Sequence, residues 1–144
     1  KFYWEQVARI KGLLERYVKE EDQAIDVDKY ILICEQLGQE PDPDKMPIEI
    51  SGFPTEVQVA FFVFSFLEDR YEGMSGQYMG KNWNNIQYLF ELFEVHDRRE
   101  VLYIMKIYEN IIVKYQSDKS DRKRKADERK SAGGGKTFTH NVQG

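Results

Sequence analysis

The most strongly apolar stretch of the chain is Val59–Leu67, in which eight of nine residues are apolar and four are phenylalanine. A helix built from such a run has no polar face to turn towards water, so the pattern predicts a central position in the protein. The preceding Thr55-Glu56-Val57-Gln58 fits a capping box, with threonine at the cap and glutamine three residues later. We therefore predict a helix over residues 55–71, although phenylalanine and valine also favour a buried strand.

Four further helices are predicted from apolar residues that recur every three or four positions. Asp26 is a candidate N-cap, Gly38 a candidate left-handed stop, and Asp97 a second N-cap. Leu32 and Ile33 add a second apolar side to the second helix, so we expect it to be covered on two faces. These predicted helices comprise residues 2–19, 27–37, 82–95 and 98–115.

The segment Gln39–Pro54 contains all four prolines of the chain. Each proline removes a backbone donor and pushes the residue before it towards an extended conformation. We predict an extended acidic connector, held to the body by Met46, Ile48, Ile50 and Phe53. A short edge strand over residues 46–50 is the alternative, and proline disfavours a central strand there.

Composition changes sharply after Tyr115. Residues 1–115 carry 13 Lys+Arg against 21 Asp+Glu, a net charge of −8, whereas residues 116–144 carry 8 against 4, a net charge of +4. Residues 116–132 are predicted to be either a solvated continuation of the last helix or an unstructured segment. Gly133-Gly134-Gly135 is predicted to be a flexible hinge. The predicted fold is all-α: a compact bundle of about five helices in residues 1–115, with a Pro-rich connector, and an extended basic C-terminal arm in residues 116–144.

The patterns that would indicate an enzyme are weak. Gly73, Gly76 and Gly80 break the chain between two predicted helices, but Ser75 and Asn82 stand where a phosphate-binding loop needs glycine and a hydroxyl, so we predict a plain loop. Cys34 lies on an apolar stripe and His96 at a helix junction, which favours structural roles over a catalytic pair. One cysteine and two histidines are too few for a zinc tetrad without carboxylates. We predict a non-enzymatic protein without a cofactor or metal.

The best candidate for a functional patch is the cation-rich stretch that begins at Arg122. Consecutive cations neutralise phosphates and give salt-dependent, sequence-independent nucleic-acid binding. They also fit an acidic protein surface, an import signal, or a tail kept soluble by its charge, and four acids dilute the positive field. Aromatic side chains that would stack on bases are absent from the patch. The patch comprises Arg122, Lys123, Arg124, Lys125, Arg129 and Lys130.

These observations favour a non-enzymatic interaction or assembly subunit of a larger complex, by analogy with small virion and tailed-phage components. Lys136, Phe138 and Val142 are predicted to dock the C-terminal arm onto a partner protein. The alternative is a nucleic-acid-associated accessory protein that uses residues 119–130. No apolar run is long enough to span a bilayer, and the mixed N-terminus does not fit a signal peptide, so an intracellular, cytoplasmic or intraviral location is expected. The oligomeric state is left open.

Overall fold

The computed structural model describes residues 2–138, with side chains described for residues 5–133. The chain is mainly helical, which confirms the predicted fold class at that level, and a two-stranded sheet is added to the helices. The helices are α1 (Phe2–Asp22), α2 (Val27–Leu37), α3 (Thr55–Phe64), α4 (Ile86–Leu92) and α5 (Arg98–Phe138). The strands are β1 (Asp69–Tyr71) and β2 (Tyr78–Lys81).

The core forms where α1, α3 and the first half of α5 meet. Its fully buried side chains are Leu14, Val57, Val63, Val101 and Met105. These residues come from three different helices, so each of the three turns apolar side chains towards the same interior. α5 packs against α3, α1 and β2, so it joins more of the fold than the third helix, which the sequence had placed innermost.

The central apolar run is shorter as a helix than predicted. α3 ends at Phe64 rather than at residue 71, and the chain then turns into β1. Thr55 is the first helical residue rather than the cap, since Pro54 occupies the cap position without a side-chain hydrogen bond. Gln58 instead donates from Nε2 to the carbonyl of Phe53 at 2.8 Å. The predicted capping box is therefore wrong.

The glycine-rich segment forms an antiparallel hairpin where a loop was predicted. β1 and β2 pair with Asp69 opposite Lys81 and Arg70 opposite Gly80. Gly80 has φ +99°, a conformation that side-chain-bearing residues rarely adopt. The fourth helix starts only at Ile86, four residues later than predicted, because β2 uses the chain up to residue 81.

α2 forms where the sequence predicts it. The Asp26 carboxylate accepts a hydrogen bond from the Lys29 amide at 2.8 Å, and Gly38 closes the helix with φ +68°. Leu32 and Ile33 are 54% and 49% exposed, so the prediction that two faces are covered is wrong. The one buried residue of α2 is Cys34, which leaves a partly apolar outer face.

The proline-rich connector contains two short 3-10 turns, Pro43–Lys45 and Ile50–Gly52, and no strand over residues 46–50. Phe53 is buried and packs edge-on against the rings of Tyr17 at 5.7 Å and Phe61 at 5.4 Å. The carboxylate of Glu20 accepts a hydrogen bond from the Ile48 amide at 2.8 Å. Ile50, predicted to hold the connector in place, is 46% exposed.

α5 runs straight through the predicted boundary at residue 115. The segment 116–132 is therefore the helical continuation, one of the two forms that the sequence allowed. The three glycines at 133–135, predicted to be a hinge, also lie within α5, and the arm predicted to be extended is helical as far as Phe138. Division of the chain into two domains at residue 115 stays a prediction.

Candidate interaction surfaces

A cluster of aromatic side chains is partly exposed at the surface near the end of α3. The ring of Phe62 lies 5.2 Å from that of Phe66 and 4.9 Å from that of Phe93, and Phe66 lies 4.9 Å from Phe93. Phe62 and Phe66 are 51% and 52% exposed, although both belong to the run predicted to be central. We call Phe62, Phe66 and Phe93 the aromatic face. The three rings support one another, and half of the surface of two of them is left open to solvent.

Phe62 belongs to the aromatic face because α3 has more phenylalanine than its buried side can accept, while Phe66 and Phe93 follow the ends of α3 and α4. Ala60, Val63 and Phe64 point into the core, and this orientation turns Phe62 outwards. Acidic side chains flank the rings along the chain: Glu68 follows Phe66, while Glu91 and Glu94 bracket Phe93, and all three are exposed.

The hairpin is attached to α5 by the carboxylate of Glu109, which accepts hydrogen bonds from two donors. Glu109 Oε2 accepts hydrogen bonds from the Lys81 amide at 2.8 Å and from Trp83 Nε1 at 2.7 Å. A Cβ on Gly80 would meet the Glu109 carboxyl at 2.9 Å, so only glycine fits there without a shift. Lys106 lies over the Trp83 ring, with Nζ 3.9 Å from its centroid, and closes the cluster from outside.

Lys81 is the one charged side chain classed as buried among the described residues. Its Nζ lies 2.9 Å from Asp69 Oδ1, 3.1 Å from the Leu67 carbonyl oxygen and 4.7 Å from the centroid of the Phe64 ring. Burial and a hydrogen bond to Asp69 raise the pKa of the Tyr78 hydroxyl, so Tyr78 stays neutral. These groups are engaged with one another, which favours a structural role over proton transfer.

A shallow groove of about 450 Å³ separates the hairpin from α5. Its floor includes the buried Lys81, and the rings of Tyr71 and Tyr78 lie 5.6 Å apart at its edge. On the α5 side it is bounded by Gln116 and Ser120. The groove mixes polar and aromatic side chains without a concentration of one charge, so it does not by itself indicate a ligand.

An ionic cluster marks the point where α5 leaves the body. Asp22, the last residue of α1, accepts hydrogen bonds from the Tyr115 hydroxyl at 2.9 Å and from Lys119 Nζ at 2.9 and 3.1 Å. These bonds hold the pKa of the Asp22 carboxyl below its usual value and raise the pKa of Lys119. Residues 120–133 are all exposed beyond this cluster.

Because residues 122–130 are helical, the cations of the predicted basic patch lie on different sides of α5. At 100° per residue, Arg122, Lys125, Arg129 and Lys130 fall on one side of α5, with Lys123 at its edge, whereas Arg124 falls on the opposite side. Asp121 and Glu128 accompany Arg124 there, and Arg124 lies 3.8 Å from Asp121. Of the four acids that dilute the charge in the sequence, Asp127 also falls away from the cationic side, but Asp118 lies on it, one turn before Arg122, so the separation is only partial.

The remaining candidate residues are the three predicted to dock the C-terminal arm and the pair Cys34 and His96. Lys136 and Phe138 lie in the last turn of α5, where side chains are not described, and Val142 lies outside the described residues. Cys34 is buried in α2, whereas His96 is exposed between α4 and α5.

Among the described residues, no three His, Cys, Asp or Glu side chains are placed to hold a metal ion. Within residues 2–138 no helix has the length and apolar character needed to cross a bilayer.

Sequence reasoning missed the hairpin, and the high aromatic content suggested a surplus for a contact face without indicating that Phe62 and Phe66 would be exposed. The signal for the hairpin is the turn-rich segment Glu72–Gly76 between two short runs that contain tyrosine. The role of Glu109 has no local signal, because its hydrogen-bond donors lie 26 and 28 residues away in the sequence.

The chain matches no protein-family model, no curated protein and no solved structure.

Proposed function

We propose that this protein is a non-enzymatic assembly subunit that docks a partner protein through its aromatic face. The observation that carries the proposal is the exposure of Phe62 and Phe66 beside Phe93, outside the buried core of the body. Exposed phenylalanine clusters are costly in water and are enriched at the centres of protein interfaces.

The exposed area is large enough to anchor a partner. A phenylalanine side chain buries about 150–250 Å², so two half-exposed rings leave roughly 200 Å² of apolar surface open. Covering that area contributes about 5 kcal/mol before the costs of association are subtracted. A contact of this kind supplies the central anchor of an interface, while surrounding polar groups provide orientation and specificity.

The charge around the rings indicates the chemistry of the partner. Glu68, Glu91 and Glu94 are exposed and lie within two residues of Phe66 or Phe93 along the chain, and residues 1–115 carry a net charge of −8. Like charges repel and opposite charges steer association, so the partner surface is expected to present an apolar side chain with basic residues around it.

The C-terminal arm supplies a second contact in this proposal. Lys136 and Phe138 lie 21 and 23 residues beyond Tyr115 along α5, which corresponds to about 30–35 Å of helix. Val142 follows four residues later. A subunit with an aromatic face on its body and an apolar anchor at the far end of a long helix is suited to joining two neighbours in an assembly.

The proposal is tested by capture of partners with the tagged protein from its natural source, quantified by mass spectrometry. Phe62→Ser/Phe66→Ser is expected to lose a partner that the wild-type protein retains in stoichiometric amounts. Met74→Ser/Met79→Ser is the matched control, since it removes two exposed apolar side chains from the hairpin. Leu92→Ser, at a position that is 56% exposed beside Phe93, provides a milder variant if the double one folds poorly. Equal capture by wild type and both aromatic-face variants would refute docking through these rings.

A further inference from the structure

The helical form of residues 116–133 creates a surface that the sequence does not show. Arg122, Ala126 and Arg129 follow one another at spacings of four and three residues, so they form one stripe along α5, which we call the tail stripe. All three are exposed, and Lys125 and Lys130 flank them. Ala126 has a short apolar side chain and stands between two long cationic ones.

A second stripe on α2 has the opposite charges at the same spacing. Asp28, Leu32 and Glu35 are again four and three residues apart, and all three are exposed. Leu32 is 54% exposed, with no described residue covering that half of its surface. We call these residues the α2 stripe. It presents a large exposed apolar side chain between two carboxylates, whereas the tail stripe presents a short apolar side chain between two guanidinium groups.

We propose that the tail stripe of one copy docks on the α2 stripe of a second copy, reciprocally, in a two-fold dimer. Arg122 and Arg129 pair with the two carboxylates, and Leu32 packs over Ala126. Because the spacings are four and three on both helices, the pairs are in register for one helix direction and within one residue's rise, about 1.5 Å, for the other. Arginine suits this role because its planar guanidinium binds carboxylates bidentately.

The two stripes do not cover each other within one chain, since the residues of both are exposed in the single molecule. Lys119 is bonded to Asp22, five residues before α2 starts, so the start of α2 lies near the base of the projecting helix. Arg129 lies about 15 Å farther along α5. A neighbouring copy is therefore required, and a two-fold arrangement uses both stripes of both copies and closes the assembly.

The charge of the whole chain supports this partner. Residues 20–56 hold eleven acids against Lys29 and Lys45, a net charge of −9, while residues 116–144 carry +4. The contact does not involve the aromatic face, so the dimer and the docking of another protein are independent and are tested by different variants.

Analytical ultracentrifugation at about 100 μM protein and about 0.05 M NaCl tests the dimer, since exposed ion pairs are strongest at low salt. Arg122→Glu/Arg129→Glu and Asp28→Lys/Glu35→Lys are each expected to weaken dimerisation at least ~10-fold. An equimolar mixture of the two variants is expected to restore it, because each reversed tail then meets a reversed α2 stripe. Arg70→Glu/Arg124→Glu is the control, with the same charge change off the stripe.

Restoration in the mixture distinguishes specific pairing from misfolding, because a misfolded variant has no partner that rescues it. A wild-type protein that stays monomeric under these conditions, or a mixture that stays monomeric while the wild type dimerises, would overturn the proposal. A monomeric wild type that binds a short DNA duplex through Arg122 and Arg129 would assign the tail stripe to nucleic acid instead.

Discussion

Removal of the Glu109 carboxylate is expected to destabilise the protein substantially. In Glu109→Ala the Lys81 amide and the indole N–H of Trp83 each lose an acceptor, at 2.8 and 2.7 Å, in a site where the Glu109 side chain is 13% exposed. A donor left unpaired in a mostly buried position costs about 1–3 kcal/mol, so the two together cost about 2–4 kcal/mol when partial access of water is allowed for.

Urea unfolding followed by circular dichroism measures this loss in the free energy of unfolding. Glu109→Gln keeps one side-chain oxygen, which can accept from both donors as Oε2 does, so it is expected to lose less than half as much, through loss of the negative charge on the acceptor. Asn110→Ala, at the exposed neighbouring position, is the control and is expected to stay within about 0.5 kcal/mol of wild type. If Glu109→Ala matched that control, the carboxylate would not be what attaches the hairpin to α5.

Three further results follow from the structure. Asp22→Asn is expected to lower the thermal midpoint at pH 7, and the difference from wild type should shrink near pH 3. The bonds from Lys119 lower the pKa of Asp22 in the folded state. Their contribution to stability is therefore present above the unfolded pKa of 3.8 and is lost as pH falls through the folded value. A midpoint difference that does not change with pH would argue against this ion pair. Gly80→Ala is expected to cost about 1–3 kcal/mol in urea, because alanine is strained at φ +99° and its Cβ meets Glu109; a neutral substitution would contradict that geometry. Deletion of residues 117–144 should leave a helical body that still unfolds cooperatively, since residues 120–133 contribute no buried side chain; loss of cooperativity would contradict it.

The elements that the sequence predicts well are those defined by local chemistry. The N-cap at Asp26 and the left-handed Gly38 bound α2 as expected, and the regular apolar stripe from Val101 onwards places α5 correctly as far as Tyr115. These signals depend on neighbours a few residues away, so they survive without knowledge of the fold.

The elements that it predicts poorly depend on distant partners. α3 stops at Phe64, and after a turn residues 69–71 pair as a hairpin with residues 78–81; the apolar run alone does not contain that information. The same run implied burial for Phe62 and Phe66. In the structure Val63 and Phe64 take the buried positions, Phe62 lies on the outer side of α3, and Phe66 lies in the turn after it. An excess of apolar residues becomes visible as a surface only when the packing is known.

The basic segment shows a similar limit. Its charges are mixed along the sequence, and only the helical periodicity of α5 separates Arg122 and Arg129 from Asp121 and Glu128. The sequence allowed both a helix and an unstructured chain for residues 116–132, and the two have different electrostatic surfaces. The choice between them decides whether a patch exists at all.

Docking through the aromatic face is tested most directly by a photo-crosslinking residue placed at Leu92, beside Phe93, with Met74 on the hairpin as the control position. In the protein's natural source, we expect one partner protein to be crosslinked from position 92 in stoichiometric yield and not from position 74. No crosslink from position 92, or equal crosslinking of many proteins from both positions, would contradict an assembly subunit that docks through these rings.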